Sequence, residues 1–130
     1  MAVRSGRQTP TTEVVLPYKK TLGQEAVNLY ALTGRTAQRW QVLLLQDIMA
    51  RNADGLWTHV KFGYSVPRRN GKSEILAMRE LWGLMNGEHV MHTAHRTTTT
   101  HAAWEKLCSW IEDMGLNYRA IRATGRELIE

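Results

Sequence analysis

The chain has a single cysteine, Cys108, among 130 residues, so no disulfide can close within it and its composition fits a reducing compartment. No apolar run approaches the ~18–20 residues that a membrane-spanning helix needs. The opening MAVRSGRQTP also lacks the hydrophobic stretch of a signal peptide. These absences predict a soluble, intracellular protein with no membrane partner. Acidic residues are in deficit, with 12 Asp+Glu against 17 Lys+Arg and a formal charge of +5. That excess suits a polyanionic partner, but many unrelated small proteins are equally basic, so charge alone decides nothing. Repeats and linkers are missing, and the length allows at most one small domain. What is present, a hydrophobic fraction of 43%, excludes wholesale disorder.

Residues 1–14 are polar and aperiodic and read as a mobile arm; residues 15–130 read as the folded part. Apolar residues at helical spacing predict a helix over 24–33, stopped by Gly34. A second helix is expected from Ala37 to Arg51, followed by a turn at Asn52–Gly55. Trp57 to Val66 is rich in β-branched and aromatic residues and predicts a strand, which Pro67 ends. A strong helical pattern follows and stops at Asn86-Gly87. His89–Ala94 reads as a second strand, and Thr98–Met114 as a helix closed by Gly115. Tyr118 to Glu130 reads as a β-hairpin turning at Ala123–Arg126. Strand, loop, helix, strand, helix in that order predicts an α/β fold with a parallel sheet flanked by helices, behind a helical lead-in. Two strands are too few for such a sheet, so the sheet reads as incomplete.

The sharpest local signal is Val66-Pro67-Arg68-Arg69-Asn70-Gly71-Lys72-Ser73. A phosphate-binding loop needs a small residue before its lysine, because backbone N–H groups must close around a phosphate. It needs the lysine to neutralise phosphate charge and a hydroxyl beside it to hold Mg²⁺. Gly71, Lys72 and Ser73 supply these in the required order, and the helix that starts there adds its N-terminal dipole and free N–H groups. The general pattern opens on glycine, where this chain has Val66. Nucleotide binding with Mg²⁺ is therefore the expected chemistry.

At these residues the chain resembles the large terminase subunits of tailed bacteriophages, whose phosphate loop commonly carries arginine in place of the usual glycine-rich front. Arg39-Trp40-Gln41 resembles that family's adenine-recognising Trp-Gln element. Thr93-Ala94-His95 is similar to its segment coupling the sheet to the next helix, and Ala123–Glu130 resembles its following hairpin. The likeness covers about residues 15–130 and implies the front part of a P-loop NTPase fold of the RecA-like kind. It implies a motor that hydrolyses ATP to drive double-stranded DNA into a procapsid, in the bacterial host cytoplasm. Its partners would be a portal protein, a small terminase subunit and further copies in a homo-oligomeric ring. By this resemblance Lys72 holds the phosphates and Ser73 ligands Mg²⁺, while Arg69, Asn70 and Gly71 belong to the phosphate cradle. Arg68 matches the loop arginine that stabilises γ-phosphate charge in cis, and Gln41 would meet the adenine edge. Trp40 stacks on the base or belongs to the core. The family's Walker B pair, an apolar run ending in Asp-Glu, is not in the chain, which implies that the chain alone does not turn over ATP. A non-catalytic prophage remnant and another, helicase-like P-loop ATPase are the alternatives.

Other conspicuous residues have plainer readings. Of His89, His92 and His95, strand alternation would turn His92 away from the other two, and with His101 they have no acidic or thiol companion at metal-site spacing. Trp82, Trp104 and Trp110 are expected in the core. One hydroxyl of Thr97–Thr100 is expected to cap a helix, and Arg119, Arg122 and Arg126 to line a solvated hairpin face.

Overall fold

The computed structural model of the protein describes residues 6–123 and 125–130. Residues 1–5 of the expected arm, and Thr124 of the expected hairpin turn, lie outside them. Along the chain come β1 (Lys20–Thr21), α1 (Gly23–Leu32), α2 (Arg39–Ile48), β2 (Ala50–Arg51), α3 (Lys72–Met85), α4 (Thr97–Asp113), β3 (Ala120–Ile121) and β4 (Leu128–Ile129).

The four helices make the core. Each buries a stripe at helical spacing: Ala26 and Tyr30 of α1, Gln41 and Leu45 of α2, Ile75, Met78, Leu81 and Trp82 of α3, and Leu107, Trp110 and Ile111 of α4. Met49, just past α2, continues that helix's stripe and is fully buried. Burying a side chain of this size stabilises by roughly 1.5–3 kcal/mol. The Tyr30 and Trp110 rings meet at 5.0 Å. Trp57 packs edge-on against Trp82 at 5.7 Å, and the Trp82 indole N–H donates to Glu25. Trp82 and Trp110 are thus core residues as expected. Trp104 is only half-buried, stacked on His101 under the Arg122 guanidinium.

Three of the four helices stop at a glycine. Gly87 N–H reaches the Leu84 carbonyl and Glu88 N–H reaches Gly83, a Schellman ending on a left-handed glycine. Gly115 and Leu116 end α4 in the same way on Glu112 and Ile111. The start of α4 differs from expectation. Arg96 is the N-cap, so the threonines fall inside the first turn; no side chain caps this end, and the Thr100 hydroxyl turns back to the Thr97 carbonyl.

All strand pairing among the described residues is antiparallel. β1 pairs with β2, and Arg51 bridges onward to Trp57 across the Asn52–Gly55 turn. β3 pairs with β4, as the expected hairpin requires. The two segments expected as parallel strands are corrected: beyond the Trp57 bridge and a bond from Thr58 to Ala50, neither 57–66 nor 89–94 enters a ladder. Residues 89–94 are exposed except for His92. A parallel pair is stable when both its faces are covered, and no such cover lies over this segment. Residues 62–66 keep strand-like alternation, with Phe62, Tyr64 and Val66 turned inward. Within the expected arm, the Gln8 side chain accepts from Trp40 N–H at the start of α2. No helix among the described residues is long and apolar enough to cross a membrane.

The packing of α1 on α2 turns on Gly23. A Cβ there would lie 2.5 Å from the backbone nitrogen of Gln46, which cannot yield as a side-chain tip can. Helix propensity alone favours Gly→Ala by about 1 kcal/mol. The close approach reverses the sign, so Gly23→Ala is expected to lower the urea midpoint, and an unchanged or raised midpoint would contradict this packing.

Candidate functional site

The phosphate-loop sequence forms a tight turn that feeds directly into α3. Two residues carry the reversal: Arg69 at φ 63° and Gly71 at φ 85°. For Gly71 this left-handed backbone carries no steric penalty; for Arg69 it costs about 1 kcal/mol or more. The Asn70 side-chain amide ties the turn together by donating to the Pro67 and Arg68 carbonyls at 3.0 and 3.2 Å. Gly71 is the N-cap of α3, and no side chain caps that end. Among the described residues the backbone N–H groups of Asn70, Gly71, Lys72 and Ser73 meet no backbone acceptor. Of these, the Gly71, Lys72 and Ser73 donors stand at the positive end of a 14-residue helix without an intrahelical partner.

That space is a cleft of about 230 Å³, lined from the loop by Pro67, Arg68, Arg69, Gly71, Lys72 and Ser73. Glu74 and, from α4, Lys106 complete it. Arg68, Arg69 and Lys72 form no ion pair among the described residues. The single carboxylate in the lining is spent: Lys106 Nζ lies 2.6 Å from one Glu74 oxygen, and the Tyr30 hydroxyl donates to the other at 2.9 Å. The result is a small concavity whose uncommitted groups are cationic side chains and backbone donors, which is chemistry for an anion. A larger cleft of about 360 Å³ lies between α1 and α3 beside Trp82. It contains no basic group, and its carboxylate, Glu25, already accepts from Trp82.

The expected site residues divide. Arg68, Arg69, Gly71, Lys72 and Ser73 come together around the cleft, and Asn70 braces the turn. Gln41 does not open onto solvent. It is 3% exposed on the inner stripe of α2, with Nε2 donating to the Gly71 carbonyl at 3.0 Å and Oε1 accepting from Gln38 N–H at 2.9 Å. Trp40, beside it, is half-buried, and its indole N–H donates to the Gln38 side chain. The Tyr64 hydroxyl donates to the Lys72 carbonyl at 3.0 Å. Tyr30 and Lys106 carried no signal in the sequence, since each reaches the loop from a distant element. Two of the histidines pair with carboxylates: His92 with Glu80, and His101 with Glu105 and Glu127. Among the described residues no three His, Cys, Asp or Glu side chains converge as a metal site would require.

Compared with protein-family models, curated proteins and solved structures, the chain matches none.

Burial, reinforced by the bond to Glu74, pushes the Tyr30 hydroxyl up to about 12 from an ordinary 10.0. Because the folded value is the higher one, its contribution to stability is complete below pH 10.0 and is lost as pH rises through about 12. Tyr18 and Tyr64 are raised similarly, so Tyr30→Phe is expected to blunt the alkaline loss of stability without abolishing it. Urea midpoints of both proteins across that window check this; parallel curves would contradict the Tyr30–Glu74 bond.

Proposed function

We propose that this chain is the nucleotide-binding part of a P-loop ATPase of the large-terminase kind, taking ATP with Mg²⁺ at residues 66–73. The observation that carries the reading is the cationic cleft at the start of α3, where Gly71 is left-handed and the N–H groups of residues 70–73 have no backbone acceptor. The donor set suits a triphosphate: Lys72 neutralises phosphate charge, the Asn70 and Gly71 N–H groups and Arg69 complete the cradle, and the Ser73 hydroxyl is the Mg²⁺ ligand. Bound there, Mg²⁺ would supply charge neutralisation across the phosphate oxygens. Arg68, which lines the cleft, would be the group that stabilises charge on the terminal phosphate.

In the complete motor this binding would serve ATP-driven movement of double-stranded DNA into a procapsid, with a ring of copies on a portal protein and a small terminase subunit. Binding without turnover is the reading favoured for these 130 residues alone. Phosphoryl transfer needs a carboxylate free to order the metal or the attacking water, and Glu74, the one in the lining, is held by Tyr30 and Lys106.

Titration with a fluorescent ATP analogue and Mg²⁺ is expected to saturate, and Lys72→Ala to weaken binding by roughly 2–4 kcal/mol through loss of a charge-assisted phosphate contact. The same preparation is expected to release no phosphate above the Lys72→Ala background. Equal affinity in both proteins would overturn the assignment.

A further inference from the structure

Gln41 occupies an unusual place for a polar residue. It stands on the stripe of α2 that otherwise buries Leu45 and Met49, and it is 3% exposed. Both ends of its amide are engaged, Oε1 by Gln38 N–H and Nε2 by the Gly71 carbonyl. Turning the amide over would set donor against donor at one end and acceptor against acceptor at the other, so this orientation is fixed by its partners. The approach is close: a Cβ on Gly71 would come within 2.8 Å of Nε2.

The consequence follows from the planarity of the peptide bond. In a trans peptide the C=O and the next residue's N–H point in opposite directions. Gln41 holds the Gly71 carbonyl, so the N–H of Lys72 is turned away from α2. Tyr64 holds the Lys72 carbonyl at 3.0 Å, which sets the N–H of Ser73 in the same manner. Asn70 holds the carbonyls of Pro67 and Arg68. Two successive peptide planes at the start of α3 are thus set from behind, and one of the two bonds comes out of the helical core.

We propose that Gln41, with Tyr64 as its companion, is a positioning residue for the phosphate loop, raising affinity for any triphosphate by fixing the Lys72 and Ser73 N–H groups rather than by reading the base. This inference rests on the phosphate-loop reading above. It also differs from an adenine-contacting role, which would require the amide to leave both of its present partners and its buried position.

The test is a set of affinities measured on the 130-residue chain for Mg·ATP, Mg·GTP and inorganic triphosphate. Gln41→Met keeps length without a donor, and Tyr64→Phe removes only the hydroxyl. Each is expected to weaken all three ligands by the same factor, about tenfold, as loss of one buried hydrogen bond implies. Leu45→Ala, on the same stripe, is expected to lower the melting temperature while leaving triphosphate affinity unchanged below it, which separates positioning from stability. A loss confined to Mg·ATP, or none in either variant, would overturn the proposal. If the wild type binds none of the three ligands, the phosphate-loop reading itself fails. Should Gln41→Met not fold, the wild-type chain suffices. Scalar coupling across the Gln41–Gly71 hydrogen bond is expected to persist on Mg·ATP binding, and its disappearance would overturn the proposal.

Discussion

The interaction on which the site depends is the hydrogen bond from Gln41 to the Gly71 carbonyl, because it joins the buried stripe of α2 to the first peptide of α3. The bond is possible only because Gly71 has no side chain and stands at φ 85°. A backbone turned this way ends one segment and starts a helix with its free donors facing outward. Around it the core arranges the rest: α3 buries Ile75, Met78, Leu81 and Trp82, which fixes where those donors point.

Electrostatics then decide what the cleft can hold. Helix dipole, Arg68, Arg69 and Lys72 all favour negative charge, and the one carboxylate in the lining is offset by Lys106. Glu74 has a second role through Tyr30, which ties the first turn of α3 to α1. The cation at the cleft's far wall, Lys106, belongs to α4, so ligand charge and the packing of α4 are linked through a single ion pair.

Much of this was legible in the sequence. The four helices announced themselves through apolar spacing, and Gly34, Gly87 and Gly115 stop three of them as their freedom at positive φ allows. Gly71-Lys72-Ser73 marked the entry into a helix, and α3 begins there at Lys72 behind the left-handed Gly71. The hairpin near the end of the chain was also readable from its turn residues. The segments 57–66 and 89–94 were not, because β-rich composition marks a preference for pleated surroundings and cannot say whether a partner strand is there. Gln41 shows a different limit. Periodicity placed it on a helix, but its burial depends on Gly71, thirty residues away in sequence. Lys106 and Tyr30 are hidden for the same reason, since no local pattern records which distant side chains a fold will bring to a loop.

The central claim is that the backbone donors at the start of α3 receive a triphosphate. Its most direct test is a titration of the ¹⁵N-labelled wild-type chain with Mg·ATP, following every backbone amide. The largest shifts are predicted at Asn70, Gly71, Lys72 and Ser73, with smaller ones at Gln41 and Lys106. Shifts centred on Asn28, Leu29 and Met85, in the larger cleft between α1 and α3, or no shifts at all, would contradict it.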